Sequence, residues 1–444
     1  MFKKFLILLL VVTSSAANAT LQIQSWTLAN GARVLFVENH SIPIVDLSVE
    51  FDAGSRRDPK GKAGTASLTN GTLALGIQAA HLAGITSSVE PALTEAEISD
   101  AFADTGAQSG NAVENDNAGL TLRTLSSATE RDTAVKLLAR ILAQPSFPAK
   151  FVARDKARTI SAIKEDLTKP EAIAERAFAR MAYGEHPYGN EETVASVSAI
   201  TRADLMAFHR TNYVANHAIV AMIGDITRAE AETIAEQLTT RLPQGASLPT
   251  LPDVPAPQTK ETRIPHPASQ SHILIGAPAV VRGNPDHFAL TVGNYVLGGG
   301  GFVSRLTNEV REKRGLAYSI DSFFIPRAQK GPFQISLQTK KEQTDEALKV
   351  VRDTLAGYLR EGPTEEELKA AKDNLVGGFP LLIDNNRKIL GNIANIGFYN
   401  LPLDYLDTWT ANVEKVTRAD VVSAFNRIIS ADKLVTVVVG AAQP

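Results

Sequence analysis

Ile200-Thr201-Arg202-Ala203-Asp204, running on to Ile219-Val220-Ala221-Met222-Ile223-Gly224, returns later in the chain as Val416-Thr417-Arg418-Ala419-Asp420, running on to Val435-Thr436-Val437-Val438-Val439-Gly440. The step from Thr201 to Thr417 is 216 residues, and so is the step from Gly224 to Gly440. In each copy a threonine is placed to cap a helix with an aspartate in its first turn, and the helix leads into a β-branched strand closed by glycine. One such cap is common. Two caps followed at equal spacing by the same strand and glycine point to a tandem duplication of an α+β domain.

Between the copies, Pro243, Pro249, Pro252, Pro255, Pro257, Pro265 and Pro267 favour extended, semi-rigid backbone over helix. The expected division is therefore a domain over 20–242, a Pro-rich linker over 243–267 and a second domain over 268–444. Outward from the linker, Ser25–Leu28, the Asn30-Gly31 turn and Arg33–Val37 read as a hairpin of the type I′ kind that Asn-Gly favours. Ile44–Phe51 alternates like a half-buried strand. Apolar spacing near 3.6 predicts helices over 94–104, 128–143, 148–167 and 170–182, then 286–297, 302–314, 342–361, 364–377 and 382–399. Strands are expected over 117–125, 271–277, 316–324 and 332–339, in two mainly antiparallel sheets covered by helices.

The chain has 444 residues, 44% hydrophobic and 21% charged, enough for several cores and too apolar for disorder. A net charge of −3 offers no general attraction to phosphate backbones, so nucleic acid is not an expected partner. With no cysteine, thiol nucleophiles, thiolate zinc sites and disulfides are excluded. Residues 1–19 read as a secretory signal: Lys3 and Lys4, the apolar run Phe5–Val12, and the small-x-small site Ala17-Asn18-Ala19. The expectation is an exported, periplasmic chain starting at Thr20, with no membrane anchor and a formal charge that falls from −3 to −5 once the two lysines are removed.

Val310-Arg311-Glu312-Lys313-Arg314-Gly315-Leu316-Ala317-Tyr318 reads as a helix ended by Gly315 and followed by a strand. Arg311 and Tyr318 would then present a guanidinium and a phenol together, donors suited to a peptide carbonyl or a developing oxyanion. They fit equally a helix-surface charge and a sheet phenol with its hydroxyl satisfied. This stretch, with Gly300-Gly301-Phe302-Val303-Ser304-Arg305-Leu306 before it, resembles the second-domain signature of the pitrilysin/insulinase family of zinc peptidases and mitochondrial processing peptidases. The start of the chain is similar to that family as well: Leu28-Ala29-Asn30-Gly31-Ala32-Arg33-Val34, then Ala53-Gly54-Ser55-Arg56-Arg57-Asp58, then Gly61-Lys62-Ala63-Gly64-Thr65-Ala66.

The resemblance implies half of a clamshell. It makes Arg311 and Tyr318 a substrate-binding pair acting opposite a zinc ion, and the loop with Gly299, Gly300 and Gly301 a wall of the substrate chamber. It also places the inverted zinc motif His-x-x-Glu-His at Ser67-Leu68-Thr69-Asn70-Gly71. Ser67, Asn70 and Gly71 supply neither imidazole ligands nor a carboxylate to activate water. The third ligand, a glutamate, falls near Ile160-Ser161-Ala162, with Glu165 about one turn off. No two of the eight histidines stand three or four apart. The chain is thus expected to hold no metal and no cofactor of its own, the zinc belonging to a homologous partner with an intact motif. The implied function is the non-catalytic, substrate-binding subunit of a heterodimeric periplasmic zinc metallopeptidase acting on peptides. The alternatives are a stand-alone peptide-binding or chaperone-like module and a structural scaffold subunit.

Other motifs point nowhere else. Gly298–Gly301 lacks the Lys-Ser/Thr of a phosphate loop, and no Gly-x-Ser-x-Gly elbow occurs. His186 reads as a structural turn residue, and Glu90–Asp104 as a solvated acidic face. Asn111–Asn117 lies where the family has a substrate-pairing edge strand, but is too rich in Asn and Asp to be expected as a strong strand.

Overall fold

The computed structural model describes residues 21–81 and 89–440. The expected leader, Met1–Ala19, lies outside the described residues. Two sheets form. The first contains β1 (Gln24–Thr27), β2 (Arg33–Glu38), β3 (Ile44–Phe51), β4 (Gln108–Val113), β5 (Ala118–Leu125) and β6 (Ile219–Gly224) in the order β1-β2-β6-β3-β5-β4. The second contains β7 (Lys260–Pro265), β8 (Gln270–Val280), β9 (Ile320–Phe324), β10 (Gly331–Lys340) and β11 (Val435–Gly440) in the order β7-β11-β8-β10-β9. Each has one parallel pair, β2 with β6 and β7 with β11, and is otherwise antiparallel.

The 216-residue step runs through the helices too. In the first half lie α1 (Thr65–Thr72), α2 (Glu95–Asp104), α3 (Ala128–Ala143), α4 (Ala149–Asp166), α5 (Pro170–Tyr183), α6 (Val194–Ala199), α7 (Arg202–Asn212) and α8 (Arg228–Thr239). In the second lie α9 (His287–Asn294), α10 (Thr344–Glu361), α11 (Glu365–Gly378), α12 (Asn386–Phe398), α13 (Tyr405–Lys415) and α14 (Arg418–Ile428). The first residues of α3, α4, α5 and α7 recur 216 residues on as those of α10, α11, α12 and α14. Both predicted caps form: Thr201 with Asp204, and Thr417 with Asp420, each close a capping box. Side-chain ties repeat too, at the same step or within one residue of it. Arg202 donates to the carbonyls of Phe147 and Ser146, and Arg418 to those of Pro363 and Glu361. Lys156 reaches the Ile200 carbonyl as Lys372 reaches that of Val416.

The halves exchange one helix each. On α5, Ala174, Phe178 and Tyr183 pack on Leu274, Val435, Val437 and Val439 of the second sheet. On α12, Ile389, Leu390, Ile393 and Ala394 pack on Val37, Ala221 and Ile223 of the first. Burying a side chain of this size contributes roughly 1.5–3 kcal/mol, so each sheet depends on the other half for the cover of one face.

One carboxylate joins the halves at their centre. Asp116 is 1% exposed. Its Oδ1 accepts from Arg56 Nη1 at 2.7 Å and the Tyr188 hydroxyl at 2.5 Å. Its Oδ2 accepts from the Ala328 N–H at 2.7 Å and the Tyr399 hydroxyl at 2.8 Å. Thus one oxygen serves the first half and the other serves the second.

Several sequence expectations need correcting. Lys260–Pro265, within the expected linker, is strand β7, because its N–H and C=O groups pair in parallel with β11. The Asn30-Gly31 turn is not type I′: only Gly31 has positive φ, +88°, and the Leu28 N–H donates to the Ala32 carbonyl, giving a three-residue loop with a left-handed glycine. Glu90 is no solvated acid. It is 7% exposed, chelated by Arg241 and approached by Lys136 at 3.5 Å and Arg140 at 3.6 Å. Residues 108–113 do form an edge strand, β4, despite Asn111, because pairing to β5 outweighs local propensity. His186 is the turn residue expected. Its Nδ1 accepts from the Tyr188 N–H, while Nε2 faces the Pro252 carbonyl and Gln329 Oε1, and burial lowers its pKa.

Candidate functional site

α1 carries the positions where a zinc motif would stand. Its N-terminus is held by Asp58, whose two oxygens accept from the Gly64 and Ala66 N–H groups at 2.7 Å each; burial raises this carboxyl's pKa to about 7. Ser67 Oγ donates to Glu192 at 2.7 Å. Asn70, 1% exposed, points into the core, where Nδ2 donates to the Gly119 carbonyl and the Tyr213 hydroxyl, both at 3.1 Å. Gly71 is exposed, with open space where a Cβ would stand. The three positions thus turn to different surroundings. On α4, Ser161 and Ala162 are exposed, and Glu165 pairs with Lys169 at 3.1 Å. A hydroxyl, an amide and a hydrogen atom are poor zinc ligands. Among the described residues no three His, Asp or Glu side chains converge on a point that could hold a metal.

Arg311 and Tyr318 do come together, on elements other than those expected. Residues 307–312 form π-helix, not α-helix, with Lys313 donating back to the Asn308 carbonyl. Gly315, at φ +63°, ends it by donating to the Arg311 carbonyl, and the Leu316 N–H closes on Val310. The strand starts only at Ile320, so Tyr318 stands on the bend before β9 and not on the strand. The Arg311 guanidinium lies 5.1 Å from the Tyr318 ring centroid and 4.7 Å from that of Phe302. Phe302 is 68% exposed and Tyr318 79%. Sequence reasoning passed over Phe302, although its aromatic ring beside a glycine run was a signal. Two exposed aromatic rings holding one arginine form a surface that can stack on a peptide and donate hydrogen bonds to it.

The glycines are largely explained by packing. A Cβ on Gly298 would stand 2.3 Å from Ser322 Oγ, on Gly299 2.7 Å from Asn294 Nδ2, and on Gly300 2.6 Å from the Tyr295 carbonyl oxygen. Gly301 differs: its φ is +60° and the space beside it is open. The run seats Tyr295–Gly299, itself π-helical, against β9 and delivers Phe302 to the surface.

This arrangement has close relatives. The family model described as "Peptidase M16 inactive domain" matches residues 199–375. A solved structure described as the peptidase M16 inactive domain from Pseudomonas fluorescens is 37% identical, with a TM-score of 0.89, covering 95% of this chain and 98% of that one. An "uncharacterized zinc protease" of Mycobacterium tuberculosis is 30% identical over 253 residues, which span 55% of this chain and only 56% of that protein. A Helicobacter pylori protein described as "non-peptidase homolog YmxG" is 23% identical over 94% of both chains. The fold, the duplication and the altered residues of α1 agree with these likenesses, and the chain belongs to the peptidase M16 family as an inactive homologue of its peptidases.

Proposed function

We propose that the chain is the substrate-binding, non-catalytic subunit of a periplasmic two-subunit zinc peptidase, offering Arg311 and Tyr318 to an active site whose zinc is held by a homologous partner. The observation that carries this reading is an asymmetry. α1 has no ligand at Ser67, Asn70 or Gly71, while Arg311, Phe302 and Tyr318 are displayed on the surface, held by the π-helical turn and Gly315. A scaffold would gain nothing from two large aromatic rings in water, where exposed apolar surface marks contact with a partner or substrate. In the complex the arginine and phenol donate to a peptide carbonyl whose negative charge grows as water attacks it. The signal-like residues 1–19 support export.

The test is purification of the full-length chain from its native envelope fraction, followed by metal analysis and identification of co-purifying proteins. The expected result is a homologue bearing His-x-x-Glu-His in near-equal amount, with all zinc accounted for by that homologue. One zinc per copy of this chain, with chelator-sensitive peptide cleavage by the chain alone, would refute the reading.

A further inference from the structure

A cleft of about 540 Å³ opens where the halves meet, between the start of β6, the chain after α8 and the end of α12. Two residues of its wall each carry a buried side-chain atom with no hydrogen-bond partner among the described residues: Arg282, at Nε, and His217, at Nδ1. The other charges in its wall are already matched. Asp52 accepts from Arg57 at 2.5 and 2.9 Å and from Arg56 at 3.2 Å, and Arg56 also meets Asp116. Arg282 has no carboxylate partner among the described residues. Its guanidinium lies 5.2 Å from the Tyr399 ring centroid, and its backbone N–H is fixed on the Arg327 carbonyl at 2.7 Å. Ile219, Leu248 and Phe398 supply an apolar wall in the same cleft.

An unmatched, partly buried guanidinium is costly unless an anion completes it, and its fork of N–H groups matches a carboxylate in shape. We propose that this cleft binds a carboxylate carried on an apolar body, the chemistry of a peptide C-terminus ending in an apolar side chain. The carboxylate accepts from the Arg282 guanidinium, and the apolar body lies on Ile219, Leu248 and Phe398. The site is separate from Arg311 and Tyr318 and needs no partner subunit. Because its walls come from both halves, its ligand stabilises their union: a ligand about 100-fold above its Kd raises Tm by about 3 °C in a chain of this length.

The test is calorimetric titration and thermal unfolding of the full chain with the peptide Ala-Ala-Leu as free acid, the same peptide as C-terminal amide, hexanoate and inorganic phosphate. The free acid is expected to bind saturably and raise Tm, with the amide at least about 10-fold weaker; Arg282→Gln is expected to weaken the acid about 10- to 100-fold, and Arg282→Lys less. Hexanoate binding beside the peptide acid supports the site as one for any apolar carboxylate, and its failure narrows the ligand to peptides. Phosphate binding as tightly as the peptide acid overturns the apolar part of the assignment. Equal binding of acid and amide, no binding of the acid, or a folded Arg282→Gln variant that binds unchanged overturns it altogether. If Arg282→Gln does not fold, the His217 ring resonances of the native chain decide: they shift on saturation with the acid and not with the amide, and their failure to move refutes the site.

Discussion

Replacing Asp116 by alanine removes the acceptor for four donors at once: the Arg56 guanidinium, the hydroxyls of Tyr188 and Tyr399, and the Ala328 N–H. Arg56 is 8% exposed and retains only Asp52, so a buried charge loses half its compensation. Breaking a buried ion pair from one side costs about 3–5 kcal/mol. With an unfolding entropy of about 2.1 cal/mol/K per residue, that lowers Tm by about 3–6 °C for a chain of this length. Asp116→Asn fares little better, which separates this account from a simple loss of volume. Each carboxylate oxygen accepts two donors, so whichever way the amide turns, its NH₂ faces either Arg56 and Tyr188 or Ala328 and Tyr399. Tyr399→Phe, by contrast, deletes one donor to a charged acceptor and costs about 1.5–3 kcal/mol. Urea and thermal unfolding of the three variants measure these differences. Adding Arg56→Met to Asp116→Ala recovers at least about 1 kcal/mol, because the orphaned charge goes with it. An Asp116→Ala variant within about 1 kcal/mol of wild type, or no recovery in the double variant, would refute the hub.

Three further outcomes are expected. His287, half-buried beside the Tyr405 hydroxyl and near Arg282, has its pKa lowered by desolvation to about 4; its neutral form stabilises the fold above pH about 6.5, and about 3 kcal/mol of that is lost as pH falls to 4. Stability titrations of His287→Gln against wild type read the difference, and parallel curves would contradict it. Residues 21–259 and 260–440 expressed separately remain unfolded or aggregate, since each lacks the helix that covers one face of its sheet, whereas co-expression yields a soluble complex; two independently folded halves by circular dichroism would contradict the exchange. Ile393→Asp, which places a charge between α12 and the first sheet, destabilises the whole chain in a single transition and not the second half alone, as followed by hydrogen exchange in both sheets.

The duplication was legible because it rests on local chemistry. A threonine three residues before an aspartate at a helix start closes a capping box from neighbouring residues alone, and a β-branched run ended by glycine announces a strand. Arg311 and Tyr318 were legible as a pair through family resemblance, but their setting was not. Residues 307–312 wind into π-helix, and pattern reading cannot tell one helical period from a slightly longer one over six residues. Glu90 and Asp116 look like ordinary surface acids in sequence, since the arginines that bury them lie far away in the chain. The exchange of α5 and α12 was hidden for the same reason: their apolar stripes say that a face is covered, not which sheet covers it. Arg282 carries no signal until the halves are brought together around it.

The proposed role is tested most directly by peptide hydrolysis with the zinc-bearing homologue and this chain mixed, using wild type, Arg311→Ala, Tyr318→Phe and, as a surface control, Arg360→Ala. The account predicts that hydrolysis by the homologue depends on this chain, that Arg360→Ala is neutral, and that loss of either donor slows turnover roughly 10²–10³-fold with assembly and zinc content unchanged. Wild-type rates from both the Arg311 and Tyr318 variants in a correctly assembled pair would contradict it.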